Sequence, residues 1–445
     1  MRSLVRYALS HGGEDSRIMF PKSIIGRRYA ASNPSCTVFG GELLFNTRLV
    51  DYRKVLQTNE MSFIGVNMNQ TCLMHNYGFD SRNILFKLDG VGLSWMSETD
   101  YGNNPGSYYK GLEDCRLVVW DGVLYAYGTR WDTGRKNNAR ICIYRLGDDL
   151  QPIKETVIES PFGASMEKNW AAIENEPFTF VYKYDPMVIV KVTDLDTGSC
   201  EIVKSEEKSV TSNTDLNVRG SSQLVELVDG KKVSLVHTAD MTTSENGLVE
   251  MRYRSAFVLT DANCNILKIS DWFVFRTDMS EFCCGIAVHN GYVIIPYSQC
   301  DCTVNVLKMS VESVVSFING DDEGSELYGF DYIFSLAKQY ELAEQFASST
   351  VLYNYAATIS EPYTDERTFC LAKAFNGLAD EFDDLVDPSF VYRIQTIVMK
   401  TIVDNGCGKQ LYRVLSRIAR FYGDLAASEK YSEIADKQCD CFEMC

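Results

Sequence analysis

No stretch of this 445-residue chain approaches the ~20 consecutive apolar residues of a membrane helix. The N-terminal stretch MRSLVRYALSHGGEDSR is interrupted by charges, so we expect no signal peptide and a cytoplasmic protein. Basic residues are outnumbered, with 43 Lys and Arg against 60 Asp and Glu and a net charge of −17. Nucleic-acid binding selects for the opposite balance, so we expect no nucleic-acid partner.

Recognisable metal and nucleotide motifs are also missing, although the chain contains 15 cysteines and four histidines. The pairs Cys283-Cys284, Cys300-x-Cys302 and Cys439-x-Cys441 lack the paired C-x2-C spacing of zinc sites. There is no Gly-rich nucleotide loop, and Asp194-x-Asp196 has no Rossmann-like context. We therefore expect no metal and no cofactor. The cysteines are interpreted as small buried groups with reduced thiols, and a structural metal site is the alternative.

What the sequence does contain is a hairpin pattern that returns five times. Each copy has 13 residues, begins with a turn signal, continues as a β-rich run and ends at or next to an aspartate. Turn residues between such runs are a strong hairpin signal. The copies are FGGELLFNTRLVD (39–51), WDGVLYAYGTRWD (120–132), ENEPFTFVYKYDP (174–186), VDGKKVSLVHTAD (228–240) and HNGYVIIPYSQCD (289–301).

A β-rich repeat of roughly 50 residues is typical of propellers, with one blade per copy. The sequence therefore predicts a mainly β fold, a five-bladed β-propeller over residues 1–320, followed by an α-helical domain over residues 321–445. A β-sandwich with evenly spaced turns is the alternative. The chain length also favours two domains.

The helical prediction for the C-terminal part comes from apolar residues at helical spacing. The two apolar stripes are Ile333, Leu336, Tyr340 and Ala343, and Ile394, Ile397, Val398 and Ile402. The segment YGDLAASEKYSEIADK (422–437) resembles the turn and helix of a tetratricopeptide-like repeat, with a generic helical bundle as the alternative. This domain could serve homo-oligomerisation, acceptor binding or capping of the propeller.

The repeat also predicts a shared polar site. In an antiparallel pair, the start of the first strand and the end of the second lie at the same edge. We expect that edge to face one end of the propeller, around its axis, with Arg116, Arg130, Arg219 and Asp301 close by. The facing residues at this spacing are Asn33 with Arg48, Asp114 with Thr129, Lys168 with Lys183, Ser222 with His237, and Cys283 with Ser298.

The residue types at this mouth could bind an anion and supply a general acid. The cations Arg48, Lys168, Lys183 and Arg219, with His237, would bind an anion such as phosphate. Either Asp114 or Glu113 could act as a general acid if burial raises its pKa. The positive charge of Arg116 would oppose such a rise. One of the two carboxylates is therefore interpreted as the structural partner of an arginine. Candidate sugar-stacking rings are Trp131, Trp170, Tyr182, Tyr184 and Tyr253. An acid beside an anion pocket fits glycosyl transfer to or from phosphate; hydrolysis with Asp301 as a second acid is the alternative.

These residues carry a resemblance to a known family. GLEDCRL (111–117) resembles the Gly-x-Glu-Asp-Pro-Arg motif of the five-bladed β-mannoside phosphorylases and β-1,2-mannosyltransferases, with Cys115 where that superfamily usually has proline. The resemblance covers roughly residues 30–305. Further similar segments are NPS at 33–35, EKNW at 167–170, RGSS at 219–222, the histidine of LVHTAD and the last aspartate of YSQCD.

The resemblance implies roles for individual residues. Asp114 would be the proton donor, acting on the glycosidic oxygen through a substrate hydroxyl. Contacts to phosphate or a donor phosphate would come from Arg48, Lys168, Arg219 and His237, and sugar contacts from Asn33 and Asp301. The other candidate binding residues at the mouth are Glu113, Arg116, Lys183 and Tyr253.

The expected activity is transfer of a sugar, mannose by resemblance, between a phosphate-bearing donor and a glycan acceptor hydroxyl. The donor would be phosphate, a sugar phosphate or a nucleotide sugar such as GDP-mannose. Stand-alone mannoside phosphorylases generally lack a helical appendage, which favours a biosynthetic transferase. The alternatives are an inverting glycoside hydrolase of the same fold and a non-catalytic propeller that binds glycan or protein.

Overall fold

The computed structural model describes residues 2–26, 28–54, 72–73, 79–90, 92–102, 109–131, 138–207, 218–243, 249–320, 326–360, 364–379 and 409–437, with scattered helical residues between 391 and 403. Within these residues the chain is mainly β as far as Ser310 and helical beyond it. The sheets have a propeller-like arrangement. The predicted mainly β fold with a propeller-like arrangement and a helical C-terminal region is confirmed, whereas the predicted count of five blades is not.

Five sheets of four or more strands follow one another along the described chain. Sheet 1 contains Ala30–Phe39, Glu42–Val50, Phe79–Asp89, Gly92–Thr99 and Tyr109–Lys110. Sheet 2 contains Glu113–Trp120, Val123–Trp131, Ala139–Leu146 and Pro152–Val157. Sheet 3 contains Ala171–Ala172, Thr179–Tyr184, Met187–Val192 and Cys200–Ser205.

The last two sheets take strands from both ends of the β region. Sheet 4 contains Arg2–Ser3, Arg219–Gly220, Val225–Val228, Lys231–Thr243, Val249–Thr260, Ile266–Ile269 and Phe273–Val274. Sheet 5 contains Glu14–Arg17, Glu281–Phe282, Ala287–His289, Tyr292–Gln299 and Asn305–Ser310. A separate pair joins Arg53–Lys54 and Cys72–Leu73. The start of the chain thus holds the end of the β region in place.

All five predicted hairpins are present, one in each sheet. In four of them both central turn residues have positive φ, as at Asp121 (51°) with Gly122 (75°) and Asn290 (50°) with Gly291 (79°). This geometry matches the right-handed twist of the strands and explains the Asp-Gly and Asn-Gly signals in the sequence. The hairpin of sheet 3 has a longer turn, with positive φ at Asn175 and Phe178.

The predicted facing pairs were wrong where the first strand of a hairpin is irregular. The strand pairing of sheets 1 and 2 is interrupted by register shifts after Ser32 and after Glu113. Asn33 (φ 45°) and Asp114 (φ 51°) follow directly, in the left-handed region. Neither residue therefore has a partner in the ladder, and the residues before them, Ser32 and Glu113, take the paired positions. The observed facing pairs are Ser32 with Arg48, Glu113 with Thr129, Arg219 with His237, and Phe282 with Ser298.

Eight helices are described in full. They are α1 (Leu4–Ser10), α2 (Lys22–Ile25), α3 (Val311–Asn319), α4 (Phe330–Leu342), α5 (Phe346–Ile359), α6 (Asp365–Ala379), α7 (Lys409–Phe421) and α8 (Leu425–Asp436). None of them combines the length and apolarity needed to cross a bilayer. The predicted stripe on α4 is confirmed for Ile333, Leu336 and Tyr340, whereas Ala343 lies just past the helix end and is exposed. Ile394, Ile397, Cys439 and Cys441 of the sequence analysis lie outside the described residues.

The helices from α4 onward pack directly on the β region. One apolar cluster joins Leu336 and Tyr340 of α4 to Val50, Tyr52 and Cys300 of sheets 1 and 5 and the loops that follow them. Polar contacts also cross this boundary: Tyr355 Oη donates to the Asp278 carbonyl at 3.3 Å, and Gln345 Nε2 donates to the Phe20 carbonyl at 3.0 Å. Ten cysteines of the described residues carry free thiols, nine of them buried.

Candidate active site

Asp114 lies where three strands from different sheets meet. Its Oδ1 accepts hydrogen bonds from Asn33 Nδ2 at 2.9 Å and from Arg48 Nη1 at 3.3 Å. Asn33 is itself held by Ser298, whose Oγ donates to Asn33 Oδ1 at 2.6 Å. Within the described part of the chain, no hydrogen bond is given to Asp114 Oδ2. One carboxylate oxygen is therefore fixed, and the other remains available to a substrate.

Glu113, next to Asp114, has a different role. Both of its carboxylate oxygens lie 3.0 Å from Lys168 Nζ, and Trp131 Nε1 donates to Oε2 at 2.5 Å. Burial raises the pKa of this carboxyl, but Lys168, Arg48 and the Trp131 hydrogen bond outweigh burial and lower its pKa well below the usual range. Glu113 is therefore an anion at neutral pH, and the prediction that it could act as a general acid is wrong.

Arg48 connects the two carboxylates. Its Nη1 lies 3.3 Å from Asp114 Oδ1 and 3.8 Å from Glu113 Oε1, and its Nε donates to Ser81 Oγ at 2.8 Å. Burial opposes its charge, yet the field of Tyr52, Glu113, Asp114 and neighbouring Asp301 raises its pKa. The guanidinium therefore stays charged although it is almost fully buried.

Arg116 lies close to Asp114, as predicted, but its guanidinium makes no hydrogen bond to the carboxylate of Glu113 or Asp114. Its fully buried guanidinium donates to the Ser221 carbonyl at 2.9 Å, to the Asp114 carbonyl at 3.2 Å and to Asn169 Oδ1 at 3.3 Å. It thus connects the loop of Asp114 to sheet 4 and to the loop before sheet 3. Arg48 is the arginine that partners the carboxylates instead.

His237 lies beyond Ser221, whose Oγ is 2.7 Å from His237 Nδ1. Burial, together with the positive charges of Arg219 and Arg116, lowers the pKa of His237 to about 3. The imidazole is therefore neutral at physiological pH. It can donate or accept a hydrogen bond there, and it does not add to the positive charge of the mouth.

The lowered pKa of His237 predicts a loss of stability in acid. Between pH 6.5 and about 3 the unfolded chain binds a proton that folded His237 does not, so the free energy of unfolding falls as the pH falls. From pH 6.5 to pH 5 the loss amounts to at most about 2 kcal/mol. In His237→Gln, urea midpoints at pH 7 and pH 5 should differ less than in the wild type. The control His289→Gln, at a hairpin turn, should keep the wild-type difference, and equal differences in all three proteins would contradict the assignment.

Gly111, at the start of the GLEDCRL motif, is required by a close approach. Its φ is +74°, and a Cβ there would come within 1.9 Å of the Ser81 carbonyl oxygen. Because Ser81 also accepts the hydrogen bond from Arg48 Nε, a side chain at Gly111 would displace a partner of the site.

We expect Gly111→Ala to lower the free energy of unfolding by at least about 2 kcal/mol, from backbone strain plus overlap. Gly122→Ala is the matched control, since Gly122 has φ +75° and nothing within 4 Å of the added Cβ. The control should lose only the strain contribution. Equal urea midpoints for the two variants would show that the approach to Ser81 is unimportant.

The remaining predicted residues lie around this centre at different distances. Asp301 Oδ2 accepts from Tyr52 Oη at 3.0 Å, and the Arg48 guanidinium lies 5.7 Å from the Tyr52 ring centre. Tyr253 is half-buried, with its ring 5.6 Å from that of His237. Arg219 is exposed and faces His237 across the ladder.

Lys183 is exposed on sheet 3 and faces Val188 across the ladder; among the described residues, it makes no hydrogen bond or ion pair with Asp114 or Glu113. Some of the candidate sugar-stacking rings are buried in the core, and others are partly exposed. Trp170 and Tyr184 are core residues. Trp131 is partly exposed and lies 4.5 Å from Lys168 Nζ, a cation–π contact beside Glu113.

Two residues that contact the site were not predicted from the sequence. Tyr52, which orders Asp301, directly follows the first hairpin copy, so its position was available as a signal. Ser81, which orients Arg48, lies in no repeat and had no signal. Among the described residues, no group of three or more His, Cys, Asp or Glu side chains is arranged to hold a metal ion.

No protein-family model matches the chain, and no curated protein matches it. Several solved structures are similar to this chain, and three of them are enzymes that act on mannose or mannosides. A mannose phosphorylase from Leishmania mexicana is 14% identical, with 68% of this chain and 89% of that chain covered and a TM-score of 0.42. A GDP-Man-dependent mannosyltransferase from the same organism is 16% identical, with 67% and 90% covered and a TM-score of 0.43. A β-1,2-mannobiose phosphorylase from Listeria innocua is 11% identical, with 69% and 99% covered and a TM-score of 0.44.

Proposed function

We propose that this protein is a glycosyltransferase or phosphorylase that moves a sugar, mannose, between a phosphate-bearing donor and a glycan acceptor hydroxyl. The observation that carries the proposal is the arrangement at Asp114. Its carboxylate is held by one oxygen, the other oxygen is unoccupied by described residues, and Arg48 and Lys168 supply cations within the same cluster. An acid beside fixed cations is what transfer to or from phosphate requires.

In the phosphorolytic direction, a phosphate oxygen forms the new bond to the anomeric carbon while the glycosidic C–O bond breaks. Asp114 gives its proton, through a substrate hydroxyl, to the departing glycosidic oxygen. Arg48 and Lys168 would hold the phosphoryl group beside Asp114. Synthesis is the same step reversed, with Asp114 accepting the proton of the acceptor.

The other residues are assigned by position. Arg48, Lys168, Arg219 and neutral His237 would contact the donor phosphate, and Asn33, Asp301 and Tyr253 the sugars. Glu113 keeps Lys168 and Arg48 in place as a permanent anion, and Arg116 fixes the backbone of Asp114. Lys183, further out, would reach only an extended donor such as a nucleotide sugar.

The architecture completes the proposal. We interpret the five sheets as five blades around one axis, forming a catalytic domain over residues 1–320, with residues 321–445 as a helical domain that covers one side of the mouth. The protein would act in the cytoplasm, and its helical domain could mediate homo-oligomerisation.

The test is incubation of the purified protein with GDP-mannose, with mannose 1-phosphate, or with phosphate plus manno-oligosaccharides, followed by chromatography of the products. A new glycan or a new sugar phosphate among the products would support the proposed transfer. Free mannose released without dependence on phosphate would identify a hydrolase instead. Binding of manno-oligosaccharides without any product would identify a binding propeller.

A further inference from the structure

The helical region contains a cleft of its own, with a volume of about 430 Å³. The described residues that line it belong to helices α4 to α8, between Glu341 and Ser432, and none of them belongs to the mouth around Asp114. Its volume is within the range of small-molecule sites, roughly 300–1,000 Å³.

Positive charge dominates among the described residues that line this cleft. The described residues that line it include Lys373, Arg413, Arg417 and Arg420, against the single carboxylate of Glu341. The chain as a whole has a net charge of −17, so a surface of this sign is a local exception. Such a local field attracts anions.

The carboxylate does not neutralise the arginines. Glu341 Oε1 accepts from Lys373 Nζ at 2.8 Å, and its Oε2 accepts from Tyr353 Oη at 2.6 Å. Arg417 donates through Nη1 to the Asn376 carbonyl at 3.1 Å. Arg413 and Arg420 are exposed and make no ion pair with any described residue. At least two guanidinium groups therefore face the cleft with donors to spare.

The spacing of the arginines on α7 brings them to one face. Residues four and three positions apart are neighbours on a helix surface, so Arg413, Arg417 and Arg420 form one continuous row. Like charges at this spacing destabilise a helix in the absence of a counter-ion. The opposite face of α7 is apolar and buried, with Leu411, Val414, Leu415 and Ile418 in or near the core. A bound anion would relieve the repulsion within the row.

The cleft also presents hydroxyl groups beside the arginines. Ser416 is buried on α7, and its Oγ lies 3.0 Å from Ser428 Oγ and 2.8 Å from Ser432 Oγ, both on α8. Ser416 and Ser432 both line the cleft. Because the Ser416 hydroxyl also donates to the Ser428 carbonyl at 2.9 Å, the donors left for phosphoryl oxygens are the Ser432 hydroxyl and the guanidinium forks.

We propose that this cleft is a second anion site, which binds a small phosphorylated molecule through Arg413, Arg417 and Arg420. Guanidinium groups suit phosphoryl groups because their fork matches two oxygens at once. The site is independent of the proposed sugar transfer, and the helical region would use it to sense or hold a phosphorylated metabolite.

The test is calorimetric titration of the full-length protein with inorganic pyrophosphate at low ionic strength. We expect the double variant Arg413→Gln/Arg420→Gln to lose one binding event or to bind at least ten-fold more weakly than the wild type. The control Arg145→Gln/Lys430→Gln removes the same charge from exposed positions outside the cleft and should bind like the wild type. Asp114→Asn should also retain this binding event, which separates the two proposals.

Equal affinity and stoichiometry in the wild type and the Arg413→Gln/Arg420→Gln variant would overturn the proposal. So would the absence of pyrophosphate binding by the wild type at millimolar concentrations. Binding at the propeller mouth is common to both proteins and cancels in the comparison. Far-UV circular dichroism checks that the double variant is folded; if it is not, the single variants, each expected to weaken binding several-fold, replace it.

Discussion

Replacing Asp114 with asparagine is expected to reduce sugar transfer by a factor of about 10² to 10⁴, the contribution typical of a positioned general acid. The amide preserves the shape of the side chain and an acceptor for Asn33 and Arg48, but it cannot supply a proton. Asparagine also tolerates positive φ, so the backbone at φ 51° is not strained. The loss should therefore appear in the turnover number, with little change in the affinity for the donor.

Asp121→Asn is the matched control for Asp114→Asn. Asp121 has the same φ of 51°, on the same sheet, but lies in the hairpin turn at the other end of the strand. Its variant should turn over substrate at the wild-type rate. Wild-type turnover by Asp114→Asn would remove the acid from the mechanism. A fall in stability large enough to unfold Asp114→Asn at the assay temperature would be detected by its melting curve, and the assay would then be repeated at lower temperature.

The hairpins could be predicted from the sequence because their cause is local. A two-residue turn with positive φ at both positions admits few residue types, so Asp-Gly and Asn-Gly reveal it directly. The cluster around Asp114 could be predicted from the hairpins, since strand ends at equal positions in a repeat share an edge. This reasoning brought Asn33, Arg48, Glu113, Asp114 and Lys168 together correctly.

The contacts within the site could not be predicted because they depend on irregular backbone. Counting along ideal strands placed Asp114 opposite Thr129, whereas the bulge puts Glu113 there and turns Asp114 toward Asn33. The sequence predicted an arginine as the partner of one carboxylate, but it did not distinguish Arg48, which has that position, from Arg116. In the folded chain the buried side chain of Arg116 reaches Ser221, 105 positions away in sequence. No local pattern specifies such a contact.

The dependence of the site on the helices gives the second large expected effect. A chain that ends at residue 320 should be insoluble or unfolded and should show no sugar transfer. Truncation would expose an apolar surface that includes Val50, Tyr52, Met279 and Cys300, which the helices from α4 onward now cover. Tyr52 holds Asp301 and lies beside Arg48, so loss of this packing would also disorder the mouth. Expression of the truncated chain, followed by gel filtration and the transfer assay, measures both effects.

A matched pair of point variants on α4 separates this packing from general damage by truncation. Tyr340 is 2% exposed within the shared core, whereas Leu342, two residues later, is 84% exposed. Tyr340→Ala should cost about 3–5 kcal/mol of unfolding free energy because it leaves a cavity. Leu342→Ala should cost less than about 0.5 kcal/mol. A soluble, active protein from residues 1–320 would show that the helices do not support the mouth. The same conclusion would follow if Tyr340→Ala were no less stable than Leu342→Ala. The position of Asp301 would then be fixed by sheets 1 and 5 alone.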